Sequence, residues 1–409
     1  MTHLSAIIRP ASRLKQVKPS MILGLVQKAR QLAAKGHPVI DLGIGEPDFT
    51  TPDHVKQAAI EALSRDETRY TVVPGTVPMR QAIVDKLKRE NGLDYGLGDI
   101  TVGGGAKSII FNAMMATLNE SDEVIIPAPY WSSYPDMVAL AGGTPVIVDC
   151  PQSQKFLIMP DQLEQAVTPK TRWLVINSPS NPTGGVYSPE HLQALAAVLR
   201  KHPHVAILSD DIYEHLMFGA HQFASILNVA PDLKDRTLLV NGVSKVFAMT
   251  GWRLGYAAGP ENIIGPMNVV QGQSLTHACS ISQAAATAAL NGPTDFFKTR
   301  AQSFEARRDI VVTALNEIDG LNCISPEGAF YVYPDCSGVI GKQTPQGQVI
   351  TSDTDFCTYL LEEHFVSAVP GAAFGLSPHI RISTAASADN LTQACTRIKA
   401  ACDMLGNVQ

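Results

Sequence analysis

The sequence lacks the features that mark membrane, secreted and disulfide-bonded proteins. Its apolar runs, such as Val124-Ile125-Ile126, are far too short to span a bilayer, and the N-terminus has no apolar core of a secretory signal. None of the seven cysteines belongs to a C-x-x-C pair, and their odd number is typical of reduced thiols. We therefore expect a cytoplasmic protein, with no membrane partner and no metal site.

Acidic residues are absent before Asp41, whereas that segment carries several basic ones: Arg9, Arg13, Lys15 and Lys18. This pattern loosely resembles a transit peptide, although a basic helical arm is the commoner reason for it. Over the whole chain the net charge is −6, which argues against a nucleic-acid partner.

The length and composition predict a globular protein with two domains. A chain of 409 residues exceeds what one hydrophobic core organises, which is roughly 250 to 300 residues. Hydrophobic residues make up 45% and charged residues 17%, so a large core can be buried. We predict an arm with part of a small domain at residues 1–50, a large domain at 51–295 and the small domain at 296–409.

Short β-branched runs alternate with helical periodicity from about residue 100 to 260, which predicts an α/β fold with a mostly parallel sheet flanked by helices. The runs are continuously apolar, as in strands that are buried on both faces. They are Ile100–Val102, Val124–Ile126, Val146–Val148, Trp173–Ile176, Val205–Ser209, Leu238–Val240 and Leu254–Ala258.

Helix-start signals lie between these runs. Ser188-Pro189-Glu190 opens a helix with an N-cap and a proline in the first turn, and Thr51-Pro52 opens an earlier helix in the same way. Connections in such a sheet are right-handed crossovers, so ligands bind at the carboxyl ends of the strands.

Past residue 295 the pattern changes to a smaller α+β domain. We predict a helix around Phe304–Leu315, strands near Ala329–Val332 and His379–Ser383, and an exposed loop at Gly341–Gly347.

Gly103-Gly104-Gly105 lies between the first strand and a helix. A glycine turn that leads into a helix presents free backbone N–H groups to an anion such as a phosphate. The same glycines also suit a plain tight turn, and neither the dinucleotide fingerprint nor the Walker pattern is present.

Two charged residues follow strands. Asp210 ends one strand, where a carboxylate can face a ligand, although such an Asp is also a common helix cap. Lys245 lies in an uncharged stretch that reaches Thr250, so it is a candidate for an amine with a lowered pKa, although surface lysines are commoner.

Several segments, taken together and in order, resemble the fold-type I aminotransferases, and in particular their aspartate and prephenate aminotransferase subgroup. The resemblance covers roughly residues 18 to 400. It rests on Gly45-Glu46-Pro47-Asp48-Phe49, Tyr70, Pro129-Tyr130-Trp131, Asn181-Pro182-Thr183-Gly184, Asp210-Asp211-Ile212-Tyr213-Glu214, Ser244-Lys245 and Ala248 to Tyr256.

The resemblance implies that pyridoxal 5'-phosphate binds in the large domain. Lys245 would hold it as a Schiff base and move the substrate proton, and Asp210 would pair with the ring nitrogen. Tyr213 and Asn181 would bond the ring oxygen, and Trp131 would stack on the ring.

The phosphate would lie on the backbone of Gly105 and Ala106 beside Arg253. Tyr70 would reach the phosphate of a neighbouring subunit, which implies a homodimer with shared active sites.

For the substrate, the resemblance implies that Arg381 binds the α-carboxylate, because its planar fork suits a carboxylate. Gly45, Trp131 and Asn181 would complete that end of the site. Without the resemblance, a salt-bridging Arg381 and a core Trp131 would be the plainer interpretations.

Lys107 matches the lysine that recognises a distal carboxylate in this subgroup. The sequence departs from the subgroup at Ile22, where threonine is usual, and at His277 and Cys279, which replace small polar residues. The lost hydroxyl at Ile22 weakens the case for aspartate.

We expect transfer of an amino group between aspartate and a 2-oxo acid such as 2-oxoglutarate. An aromatic or other amino donor remains open, as does a carbon–sulfur lyase, since one fold and cofactor serve several reactions. The third hypothesis is a regulator that binds the cofactor without catalysis. Such proteins carry an added DNA-binding domain, but the roughly 50 residues ahead of the large domain contain no helix-turn-helix pattern.

Overall fold

A computed structural model gives the fold and describes residues 9–17 and 21–407. Lys18 of the predicted basic arm, and Pro19 and Ser20 with which the family resemblance begins, lie outside the described residues. Within the arm, Ser12–Gln16 form a short 3-10 helix.

The helices of the described chain are α1 Met21–Ala34, α2 Asp53–Ser64, α3 Val77–Asn91, α4 Ala106–Thr117, α5 Ser133–Leu140, α6 Pro160–Ala166, α7 Pro189–Lys201, α8 Ile226–Val229, α9 Glu261–Ser274, α10 Ser280–Asn291, α11 Asp295–Asn316, α12 Asp353–Glu363 and α13 Ala388–Asp403. Its strands are β1 Ile40–Asp41, β2 Ile100–Gly103, β3 Glu123–Ala128, β4 Thr144–Asp149, β5 Thr171–Asn177, β6 Ala206–Asp210, β7 Thr237–Gly242, β8 Gly255–Ala258, β9 Tyr331–Val332, β10 Lys342–Gln343, β11 Val366–Ser367, β12 Val369–Pro370, β13 Ile380–Ser383 and β14 Gly406–Asn407.

A seven-stranded sheet in the order β2-β8-β7-β6-β5-β3-β4 forms the centre of the molecule, and each predicted apolar run lies at one of its strands. Both faces of the sheet are covered. Along β5, Leu174 and Ile176 pack into one hydrophobic core and Trp173 and Val175 into another, because successive side chains of a strand point to opposite faces. The prediction of a mostly parallel sheet flanked by helices is confirmed.

One strand, β8, runs against the others. It pairs antiparallel with β2 and with β7, so the crossover expected for every connection does not apply to it. The segment between β7 and β8 contains only a short 3-10 turn, Thr250–Trp252, in place of a covering helix. The chain therefore turns at the carboxyl end of β7 and runs back along it as β8.

Two predicted helix starts have different outcomes. Ser188 caps α7 as expected, since its Oγ accepts the His191 N–H at 3.2 Å. The prediction at Thr51 is wrong by one residue, because Pro52 occupies the N-cap of α2. The Thr51 hydroxyl instead donates to the Ala248 carbonyl at 2.7 Å, which ties this turn to the segment after Lys245.

A separate hydrophobic core holds the C-terminal part of the chain together with Ile40 and Leu42. The predicted helix near Phe304–Leu315 lies within α11, and the two predicted strands correspond to β9 and β13. The segment Gly341–Gly347 is largely exposed as expected, but it also contains the short strand β10. The domain boundaries at residues 50 and 295 stay a prediction.

Among the described helices, none is both long enough and apolar enough to cross a membrane.

Candidate active site

A cavity of about 570 Å³ opens at the carboxyl ends of β5, β6 and β7. Most of the predicted site residues line it: Gly45, Ala106, Lys107, Trp131, Asn181, Asp210, Tyr213, Lys245 and Arg253. A second opening of about 340 Å³ shares several of these residues and adds Ile22 and Arg381. The structure therefore gathers residues from positions 22 to 381 at one edge of the sheet.

Lys245 reaches the cavity from the turn that follows β7. Its Nζ donates a hydrogen bond of 2.8 Å to the carbonyl of Gly45 and lies 5.4 Å from the centre of the Tyr213 ring. Burial lowers the pKa of the amine to about 8, and the positive charge of Arg381 adds to that effect. Roughly a tenth of this amine is therefore uncharged at pH 7, far more than for an ordinary lysine, and the uncharged form is the one that a nucleophile or a proton carrier requires.

Asp210 is a buried carboxylate at the end of β6. Its Oδ2 accepts a hydrogen bond of 2.6 Å from the Tyr134 hydroxyl. Burial raises its pKa to about 6, while the hydrogen bond from Tyr134 and the charge of Lys245 act in the opposite direction. The ionised carboxylate can therefore pair with a cation in the cavity.

The start of α4 forms one end of the cavity. Gly105 has a φ of 96°, and a Cβ at this position would lie 2.7 Å from Nη2 of Arg253. A Cβ at Gly255 would collide with the backbone nitrogen of Ala106, so glycine permits the close approach of β8. The first N–H groups of a helix have no intrahelical acceptors, and here they lie beside a guanidinium. This combination can bind a phosphate.

Arg381 lies at the other end, on β13, and is buried. Its guanidinium donates to Asn181 Oδ1 at 2.9 Å and to the Gly43 carbonyl at 2.5 Å. No carboxylate among the described residues forms an ion pair with it, and its buried Nε has no hydrogen-bond partner there. A buried cation that lacks a protein counter-ion suits an anionic ligand.

Tyr213 is buried, and its hydroxyl bonds the hydroxyl of Tyr331 at 2.8 Å. Asn181 receives the hydrogen bond from Arg381 described above, and its backbone N–H donates to Asn177 Oδ1 at 2.9 Å. Both side chains face the cavity, where they can bond a polar group of a ligand ring.

Trp131 and Lys107 meet at the rim of the cavity. Nζ of Lys107 lies 5.0 Å from the centre of the Trp131 ring, and Trp131 packs edge to face against Tyr134. Partial burial and the charge of Arg253 lower the pKa of Lys107, while Asp136 opposes them. A cation therefore stands at the entrance, well placed for a ligand with a second acidic group.

Tyr70 is the predicted site residue that this chain does not bring to the cavity. It is 90% exposed and packs edge to face against His277 at 5.7 Å. His277 donates from Nδ1 to the Ala278 carbonyl at 2.7 Å, and Cys279 is exposed beside it. These residues lie on an outer surface of the single chain.

Sequence reasoning missed three residues that shape the site: Tyr134, Asn177 and Tyr331. Asn177 ends β5 and donates to the Asp210 carbonyl at 2.9 Å, so its position at a strand end could have indicated it. Tyr134 lies within a helix and Tyr331 within a short strand, and neither position carries a local signal. Both contacts depend on tertiary packing.

Comparisons with known proteins all identify the same family. The model of the family "Aminotransferase class I and II" matches residues 37–398. An aspartate aminotransferase from Rhizobium meliloti, known as a crystal structure, superposes with a TM-score of 0.95 at 54% identity and covers 98% of this chain and 100% of its own.

Two further relatives agree with this result. An aspartate/prephenate aminotransferase from Cereibacter sphaeroides is 54% identical over 95% of this chain and 97% of its own length. The structure of an aspartate aminotransferase from Thermus thermophilus with maleate has a TM-score of 0.90 at 38% identity, covering 96% of this chain and 100% of that one.

Proposed function

The chain belongs to aminotransferase class I and II and is a transaminase, and we propose that it uses pyridoxal 5'-phosphate to move an amino group between aspartate and 2-oxoglutarate. The observation that carries the proposal is the arrangement around the cavity and the smaller opening that shares Lys245 with it. An amine and a carboxylate, Lys245 and Asp210, stand between an anion site at α4 and the unpaired guanidinium of Arg381.

The residues present fit the cofactor. The start of α4 at Gly105 and Ala106, with Arg253, would hold its phosphate, and Asp210 would pair with its ring nitrogen. When bound, pyridoxal phosphate supplies an electron-withdrawing ring that stabilises negative charge on the substrate's α-carbon.

The side chains around the ring would orient it and limit the entry of water. Trp131 would cover one face, while Tyr213 and Asn181 would donate to the ring oxygen. Lys245 would hold the cofactor and then, as an uncharged amine, take the proton from the α-carbon and return it. Its lowered pKa supports that role.

For the substrate, Arg381 would bind the α-carboxylate through its planar fork, with Asn181, Gly45 and Trp131 completing that end. Lys107 would bind the distal carboxylate. The preference for aspartate is supported by the names of the relatives and by maleate, a dicarboxylate, in the Thermus structure.

One observation favours a second class of donor, aromatic amino acids. Ile22 lines the smaller opening next to Arg381 and packs against an apolar cluster that contains Phe374. An apolar wall there would suit an aromatic side chain and would give the distal carboxylate no hydroxyl.

We also propose a cytoplasmic homodimer, with Tyr70 of each subunit reaching the phosphate site of the other. The high exposure of Tyr70 supports this, because it leaves the side chain accessible to a second subunit. Residues 51–295 would form the large cofactor-binding domain, and residues 296–409 with part of 1–50 would form the small one.

A half-reaction assay tests the proposal. The cofactor-loaded protein is mixed with single amino acids while the absorption of the bound cofactor is followed. We expect aspartate and glutamate to change the spectrum faster than phenylalanine, and Lys245→Ala to abolish both the absorption band and turnover. A fully active Lys245→Ala variant would contradict the assignment. Release of pyruvate from cysteine without a 2-oxo acid would indicate the lyase instead.

The distal-carboxylate role has its own matched pair of variants. Lys107→Met should raise the KM for aspartate roughly tenfold, since a partly exposed charged hydrogen bond contributes about 1.5 kcal/mol. The KM for phenylalanine should not change. Lys170→Met is the control, because Lys170 is an exposed lysine before β5, at the opposite edge of the sheet. An equal effect on both amino acids would contradict the assignment of Lys107.

A further inference from the structure

Glu214 is a buried carboxylate behind the cavity, held by side chains from two other elements. Its Oε1 accepts hydrogen bonds from the Lys86 ammonium and from Asn241 Nδ2, the latter at 2.7 Å. Its Oε2 accepts a bond of 2.8 Å from Asn91 Nδ2, and Lys86 also donates to Asn91 Oδ1 at 2.8 Å. None of these four side chains is among the residues that line the cavity of the described chain.

The place of these residues in the chain links the network to the site. Glu214 comes four residues after Asp210 and directly after Tyr213, and its backbone N–H closes the turn by donating to the Asp211 carbonyl at 2.9 Å. Asn241 lies in β7, four residues before Lys245. The Glu214–Asn241 bond therefore joins the two strand ends that carry the carboxylate and the amine of the site.

Further ionisable groups lie near Glu214: Glu90, His215, Asp211 and Tyr256. His215 bonds Glu90 through Nε2 at 2.9 Å, and ligand atoms of Glu90, Glu214 and His215 lie close enough to one another to hold a metal ion. Lys86 already supplies the compensating positive charge, since its ammonium pairs with both carboxylates. The cluster is therefore an ion-pair network, and we assign no metal to it.

Stability alone does not explain such a network. A buried ion pair loses its hydration, and apolar residues of similar volume often stabilise a fold as well or better. What apolar residues lack is directional bonding, which fixes the separation of the groups that they join. Three hydrogen bonds to one carboxylate, from Lys86, Asn91 and Asn241, define a separation far more narrowly than packing does.

We propose that Glu214 is a positioning residue, which fixes Asp210 and Tyr213 relative to Lys245 by tying the turn after β6 to Asn241 on β7 and to Lys86 and Asn91 on α3. The inference rests on the proposed function, since it assigns Glu214 an effect through residues that would hold the cofactor.

The test uses the full-length protein with two variants and one control. Glu214→Gln removes the charge, and Asn241→Ala removes the tie to β7 while keeping the Lys86–Glu214 ion pair. The control is Asp122→Asn, because Asp122 is likewise buried and paired, with Arg172 at 2.8 Å, but precedes β3 at the far edge of the sheet. For each protein we measure the pH midpoint of the bound cofactor's absorption, the cofactor affinity, kcat, KM and the unfolding temperature.

We expect both variants to shift the pH midpoint by about one unit, because displacement of a nearby charge changes a pKa by that order. Cofactor affinity and kcat should each fall roughly tenfold with KM for the amino acid unchanged. Asp122→Asn should lower only the unfolding temperature.

The inference is overturned if Asn241→Ala leaves the pH midpoint and the cofactor affinity at their wild-type values. If Glu214→Gln does not fold, Asn241→Ala alone provides the test. Failure of the wild-type protein to bind pyridoxal phosphate would instead contradict the proposed function, so the two failures are distinguishable.

Discussion

The Tyr134 hydroxyl donates a 2.6 Å hydrogen bond to Oδ2 of Asp210, and both side chains are buried. The bond occupies one oxygen of the carboxylate. Among the described residues, the other oxygen has only a long contact of 3.4 Å from the Ile212 N–H, so it can accept a stronger donor from the cavity. Tyr134 thus opposes the burial that raises the pKa of Asp210 to about 6.

Replacing Tyr134 by phenylalanine should weaken cofactor binding. Without the hydroxyl, the pKa of Asp210 rises further, and more of the carboxylate is protonated at neutral pH. We expect the affinity for pyridoxal phosphate to fall roughly tenfold at pH 7, as the loss of one charge-assisted hydrogen bond predicts, and to recover partly at higher pH.

The control for that variant is Tyr95→Phe. The Tyr95 hydroxyl is also buried but has no hydrogen-bond partner among the described residues. Fluorescence titration of the cofactor-free proteins measures both affinities. Equal losses in the two variants would show that Tyr134 acts only through packing.

The rate at which the cofactor-free protein takes up pyridoxal phosphate should depend on the protonation of Lys245. Its pKa is lowered to about 8 by burial, so the reactive neutral amine is the minor form at pH 7 and the major form above pH 8. The rate constant should rise about tenfold per pH unit below the pKa and level off above it. Stopped-flow absorbance between pH 6.5 and 9.5 gives the profile.

Arg381→Leu should move the same profile to higher pH, because the variant removes a positive charge that lowers the pKa of Lys245. Replacing Arg200, which is exposed on α7 and pairs with Asp232, by leucine should leave the profile unchanged. A profile that keeps rising up to the ordinary pKa of lysine would contradict the burial argument.

Arg381→Lys should impair substrate binding although the charge is kept. Lysine cannot reproduce the planar fork or keep the bonds to Asn181 and Gly43 while it binds a carboxylate. We expect the KM for aspartate to rise roughly 30-fold, equivalent to about 2 kcal/mol. Steady-state kinetics measures the effect, and Arg200→Lys on the exposed face of α7 should leave KM unchanged.

Gly45→Ala should disturb the site through Tyr331, because the added Cβ would collide with the Tyr331 hydroxyl. That hydroxyl bonds Tyr213, and the Gly45 carbonyl accepts from Lys245, so the collision acts on both. We expect kcat/KM to fall more than about tenfold, a cost of about 1.4 kcal/mol or more, as for overpacking in a tight interior.

Removing the hydroxyl in Gly45→Ala/Tyr331→Phe should restore part of the lost activity. Gly24→Ala is the control, since a Cβ at Gly24 on α1 meets no atom within 4 Å. If the double variant lost more activity than the two single variants together, the collision would not be the cause of the loss in Gly45→Ala.

Local patterns were enough to predict the central sheet. The continuous apolar runs located its seven strands because most of them are buried on both faces, as the alternation along β5 shows. The exception is β4, the last strand of the sheet, which has no buried residue and leaves Ile147 exposed. The direction of β8 was not predictable in this way, since an apolar run carries no information about strand orientation. The predicted helix start was right at Ser188, where the serine caps the helix. It was wrong by one residue at Thr51, because the Thr51 hydroxyl bonds a distant carbonyl.

For the site, strand ends and motif resemblance predicted Lys245, Asp210 and Arg381, and the structure places them at two openings that share Lys245. Their functional roles stay a prediction. Tyr134 and Tyr331 were missed because their hydroxyls act across elements that only the folded chain brings together. Tyr70 marks the limit of a single chain, since its expected contact lies on another subunit.

The antiparallel course of β8 has a consequence for which insertions the chain can tolerate. Gly255 pairs with Gly103, so β8 starts at the edge where β2 ends, and Arg253 and the start of α4 are neighbours. The same short connection carries Lys245 at its beginning and Arg253 at its end. Adding or removing a residue between them would displace both the amine and the guanidinium of the proposed phosphate site, so the length of this connection is as constrained as the identity of either side chain.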